Sequence, residues 1–127
     1  MIKTSGVYHT GIPADDLDRA TRFYSEVLGM ELERAIGEGG EGGARLARLK
    51  CGSDTVVLFQ RPKALNRDSF KEDGIYHQAF HLPLDQYDAA VVLLKEKGVF
   101  KGTVDRPSGK TVYFTDSEGN YQELHAP

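Results

Sequence analysis

Gly6-Val7-Tyr8-His9 recurs as Gly74-Ile75-Tyr76-His77, 77 − 9 = 68 residues later, and this recurrence decides how the chain folds. In a chain of 127 residues, that spacing makes one half a copy of the other. After each histidine comes a short extended run, then a polar or proline-containing turn (Pro13-Ala14-Asp15-Asp16; Pro83-Leu84-Asp85), then a helical pattern. In the first half Leu17, Ala20, Phe23, Tyr24, Val27 and Leu28 recur at helical spacing, with Asp15 or Asp16 placed to cap the start and Gly29 to stop it. In the second, Tyr87, Ala90, Val91, Leu94 and Lys95 keep the same period and end at Gly98.

Behind each helix lies chain for three strands: Glu31 to Ala35, Ala44 to Lys50 and Thr55 to Gln60, then Gly102 to Asp105, Lys110 to Thr115 and Asn120 to His125. The reading is an α+β fold of two tandem βαβββ modules, residues 5–60 and 74–126, joined by a linker at 61–73 within one domain, 1–127. One helix covers only one face of a four-stranded sheet, so the open faces are expected to combine into a cleft or incomplete barrel. The run Gly37-Glu38-Gly39-Gly40-Glu41-Gly42-Gly43 breaks the repeat, and its backbone freedom predicts a mobile loop, read either as a plain hairpin connection or as a lid over the cleft.

Composition narrows the function classes. The net charge of −3, from 16 basic and 19 acidic residues spread along the chain, leaves no basic stripe for nucleic acid. Apolar runs such as Ala89 to Leu94 are far short of a membrane span, and Met1-Ile2-Lys3-Thr4 lacks the apolar core of a signal peptide, so a cytoplasmic protein is expected. Cys51, the single cysteine, cannot form an internal disulfide and precedes the turn residues Gly52-Ser53-Asp54.

Alternation along a strand puts Val7, His9 and Gly11 on one face, Ile75, His77, Ala79 and His81 on another, and Tyr121, Glu123 and His125 on a third. If the modules pack with pseudo-twofold symmetry, His9, His77 and Glu123 converge. Two imidazoles and a carboxylate leave positions open on a divalent ion, a set that suits iron(II) and other borderline cations.

The stretches Tyr8-His9-Thr10-Gly11-Ile12-Pro13, Phe23-Tyr24-Ser25-Glu26-Val27-Leu28-Gly29-Met30, His77-Gln78-Ala79-Phe80 and Tyr113 to Leu124 together resemble the vicinal oxygen chelate superfamily, which includes glyoxalase I, bleomycin-resistance proteins, extradiol dioxygenases and fosfomycin-resistance transferases. The resemblance covers essentially the whole chain and implies metal ligands at His9, His77 and Glu123. It places a fourth ligand position among Val56, Val57 and Leu58, where glyoxalase I members show Glu, which argues against that activity. Gln60 is the nearest polar substitute if it turns inward toward a substrate.

The preferred implication is extradiol-dioxygenase-like oxygenation with Fe2+. Val112-Tyr113, Asp116, Gly119 and Glu123 fit much of that signature, although Ser117 and Arg106 depart from it and the usual histidine near the fourth strand is missing, leaving His81 or His125 to serve as base. A glyoxalase-like lyase or fosfomycin-type thiol transferase using Mn2+, Ni2+ or Zn2+ is the alternative, with Glu123-Leu124-His125 in its favour and Arg106, Lys110 or Arg61 available for an anionic small-molecule substrate. A metal-free drug- or metabolite-binding protein is the further alternative. Two roles are open for Tyr113, a hydroxyl donor to a metal-bound oxygen or a ring packed in the cleft wall. The resemblance also implies a homodimer in which the halves are often exchanged.

Overall fold

The computed structural model describes residues 1–37, 45–68, 71 and 76–127. Most of the glycine-rich run, with its expected role as a lid, lies outside the described residues, as do Gly74-Ile75 and part of the linker. The chain divides into two compact units, Met1–Leu65 and Asn66–Pro127, the boundary falling within the expected linker.

The first unit runs β1 (Thr10–Ala14), α1 (Leu17–Arg22) continuing into a π turn at Phe23–Val27, β2 (Glu31–Ile36), β3 (Leu46–Cys51) and β4 (Asp54–Gln60). The second repeats this order with β5 (Gln78–His81), α2 (Tyr87–Glu96), β6 (Phe100–Arg106), β7 (Gly109–Thr115) and β8 (Tyr121–Ala126). The sheets are ordered β1-β4-β3-β2 and β5-β8-β7-β6, so in each the first strand pairs parallel with the last and the others are antiparallel. Both units are therefore βαβββ. Among the described residues no helix is long and apolar enough to cross a membrane.

The helix starts follow from local chemistry. Asp16 sits in extended conformation and its carboxylate accepts from the Arg19 N–H at 3.1 Å, which holds its pKa below the usual carboxylate value. The first helix differs from a regular one after Arg22: Leu28 N–H reaches back five residues to Phe23 O, and Met30 N–H reaches Tyr24 O. This widened turn turns the neighbouring rings of Phe23 and Tyr24 inward together, and both are buried.

In the second unit the register sets Thr111 against His125, Tyr113 against Glu123 and Thr115 against Tyr121, so these six side chains share one face. The alternate residues Val112, Phe114, Gln122, Leu124 and Ala126 are buried on the other face, where α2 lies. There the Tyr87 hydroxyl donates to Thr111 O at 2.8 Å. The turn before β8 needs glycine: Gly119 has φ +82°, and a Cβ there would overlap the carbonyl oxygen of Arg67, which crosses behind it.

Candidate metal centre

His9 and His77 each stand one residue ahead of the strand on which they were expected, at the mouths of β1 and β5. His77 Nε2 lies 2.9 Å from Oε1 of Glu123 on the neighbouring β8. The other carboxylate oxygen, Oε2, accepts from the Thr111 hydroxyl at 2.8 Å. Thr111 Oγ1 in turn lies 2.9 Å from His125 Nδ1, and His125 Nε2 lies 3.1 Å from Ser108 O in the β6–β7 turn. A continuous chain of polar contacts thus runs from the hairpin turn to His77.

Aromatic rings wall this pair. Tyr113 and Tyr121 stack at 5.4 Å, and His77 meets both edgewise at 5.9 and 5.3 Å. Burial, then the neighbouring Tyr113 and Glu123, push the Tyr121 hydroxyl pKa up. An Arg106 N–H donates to the Tyr113 hydroxyl oxygen at 2.6 Å, and this bond raises the guanidinium pKa further. Beside the pair, a cavity of about 320 Å³ is lined by His81, Arg106, Ser108, Glu123 and His125 among others.

In the first unit, His9 Nδ1 is shielded from solvent without a hydrogen-bond partner, and its ring meets the Tyr8 ring edgewise. A buried ring nitrogen with no partner is costly unless something absent from the chain itself satisfies it. The register pairs Gly11 with Val57 and Pro13 with Phe59, so the β4 residues on that face comprise Val57, Phe59 and Thr55, with no acidic side chain among them. Gln60 pairs with Ala14 on the opposite side. Its Oε1 accepts from Leu17 N–H at 3.0 Å and its Nε2 donates to Asp15 O at 2.7 Å, so it caps the start of α1. These bonds hold the Gln60 amide against the start of α1, where the sequence reading had it turned inward toward a substrate.

The second unit thus gathers His77, Glu123, Tyr113, Arg106 and His125 on or beside one sheet face, while His9 belongs to the first unit. Among the described residues no group of three or more His, Cys, Asp or Glu side chains forms a metal site within the single chain. The sequence reading placed Tyr121 on the face of Glu123 without giving it a role and gave none to Thr111; the signal was its position two residues before Tyr113.

Residues 6–124 match the family model for the Glyoxalase/Bleomycin resistance protein/Dioxygenase superfamily. The chain belongs to this superfamily. It is similar to the glutathione transferase FosA of Serratia marcescens, 26% identical over 117 residues that span 92% of this chain and 77% of that protein. It is also similar to the catechol-2,3-dioxygenase of Bacillus subtilis (strain 168), 27% identical over 114 residues, spanning 87% of this chain but 37% of that protein. The fold is shared with a mutant of the fosfomycin resistance protein FosX from Listeria monocytogenes, crystallised with Mn(II) and 1S,2S-dihydroxypropylphosphonic acid: TM-score 0.78 at 21% identity, over 98% of this chain and 94% of that one. Superfamily membership carries the fold, while its members differ in chemistry, so the activity must be argued from the site.

Proposed function

We propose that this chain is a divalent-metal-dependent enzyme acting on a small, oxygen-bearing anionic substrate, with His77, Glu123 and His9 as the metal ligands. The observation that carries this reading is the 2.9 Å approach of His77 Nε2 to Glu123 Oε1. Two donors each roughly 2.0–2.2 Å from a common ion, at a right angle, stand roughly 3 Å apart. The unpartnered Nδ1 of His9, at the corresponding place in the repeat, supports its role as third ligand. When bound, the ion supplies a Lewis acid that draws out negative charge on substrate oxygens. Arg106 supplies a positive charge at the cavity, and Tyr113, which accepts from Arg106, would have its own O–H left as a donor beside that charge.

Redox-neutral group transfer to a small anionic substrate is the chemistry supported best, in keeping with the similarity to a glutathione transferase and to a fosfomycin resistance protein crystallised with Mn(II) and a dihydroxypropylphosphonic acid. The guanidinium beside Glu123 suits an anionic group, and His125, expected as a base for ring cleavage, has both ring nitrogens engaged. Iron-dependent ring cleavage, preferred on the sequence pattern, stands second and is favoured by the similarity to the catechol dioxygenase. The protein is read as a homodimer acting in the cytoplasm.

Anaerobic purification with metal analysis, followed by assay, tests the reading. Mn(II)-dependent consumption of fosfomycin, with or without a thiol, is the expected result. Stoichiometric iron with oxygen uptake on catechol would move the assignment to the second reading. Ligand binding without any bound metal would make the chain a binding protein.

A further inference from the structure

We propose that Thr111 is a positioning residue that fixes the Glu123 carboxylate so that a single oxygen, Oε1, faces the metal. The inference rests on the metal reading above and adds a residue to it. Thr111 is fully buried, and its hydroxyl carries one proton, which it donates to Glu123 Oε2 at 2.8 Å. On its other side the same oxygen meets His125 Nδ1 at 2.9 Å, and His125 is held by Ser108 O.

The terminal torsion of a glutamate is broad, so packing alone leaves the carboxylate free to rotate. The bond from Thr111 removes that freedom. It occupies Oε2 on the β7 side and leaves Oε1 on the side of His77. Glu123 then presents one oxygen beside one imidazole, preorganised before an ion arrives. Thr111 and His125 face each other in register on β7 and β8, so the support is built from the same pairing that forms the sheet.

The test is the affinity of the purified protein for Mn(II) alone, read by electron paramagnetic resonance titration, in wild type, Thr111→Val, Thr111→Ser, Glu123→Gln and His77→Ala. Thr111→Val keeps the volume and removes the donor, and is expected to weaken Mn(II) binding about 10–100-fold. Thr111→Ser keeps the donor and is expected to restore affinity to near wild type. If Thr111→Val does not fold, as judged by circular dichroism, Thr111→Ala takes its place in the comparison with Thr111→Ser. Wild-type affinity in the donor-free variant, with binding lost in Glu123→Gln, overturns the role of Thr111 and leaves the metal site standing. Equal losses in the donor-free and Ser variants overturn it too, since shape rather than the donor would then decide. Unchanged affinity in both Glu123→Gln and His77→Ala sinks the metal reading and this proposal with it.

Discussion

His77 Nε2 and Glu123 Oε1 lie 2.9 Å apart although 46 residues separate them in the chain. The parallel pairing of β5 with β8 makes the contact, because it sets Ala79 beside Glu123 and leaves His77 at the strand mouth. If this pair forms half of a metal site, Glu123→Gln and His77→Ala should each weaken metal binding by more than the roughly 10–100-fold expected for an outer partner. Isothermal titration with Mn(II) checks this, and a smaller loss in either variant removes that residue from the ligand set.

Metal should also stabilise the fold, since a divalent ion binds the assembled site and not the separated residues. Free Mn(II) at 100 times its Kd should add about 2.7 kcal/mol to stability, and excess chelator should reverse the gain. Thermal melting with and without chelator reads the effect as a shift of several degrees. Superimposable melts would leave the site without its ion.

Gln60 offers a control that separates structure from chemistry. Its amide joins β4 to the first turn of α1 through Leu17 N–H and Asp15 O. Gln60→Ala strands those backbone groups and should cost about 1–3 kcal/mol in urea denaturation, while Mn(II) affinity stays unchanged. A loss of affinity with intact stability would restore Gln60 to the site.

The cap at α1 predicts a pH dependence with a definite sign. The Arg19 N–H lowers the pKa of Asp16 below the ordinary carboxylate value. A depressed folded-state pKa gives stability that is present above the unfolded value and lost as pH falls through the folded one. Asp16→Asn keeps a capping oxygen without the charge, so its stability should fall less than wild type as the pH drops below about 4. Parallel stability curves for the two proteins below that pH would contradict the assignment.

Gly119 ties the linker to the second unit. With φ at +82° and the Arg67 carbonyl behind it, Gly119→Ala must both strain the backbone and displace the linker. The expected cost exceeds about 1 kcal/mol. A variant as stable as wild type would show that the linker yields freely.

Much of this protein was legible in the chain. The recurrence of Tyr-His after 68 residues fixed two βαβββ modules, because each copy repeats the same sequence of extended, turn and helical patterns. Asp16 as a cap could be read from position, and so could the shared facing of Tyr121, Glu123 and His125, since both depend on local geometry with a fixed period. Facing, however, does not reveal partners. The end of the fourth strand could be read for Gln60, but not that folding brings Leu17 N–H and Asp15 O to its amide from 43 and 45 residues away. The partners of His125 were equally hidden, since the sheet register puts Thr111 opposite it and the hairpin turn brings Ser108 O to its other nitrogen. Periodicity is a property of neighbours in sequence and survives without a fold, whereas a hydrogen bond between distant residues depends on register to within a residue. Only the tertiary structure supplies that.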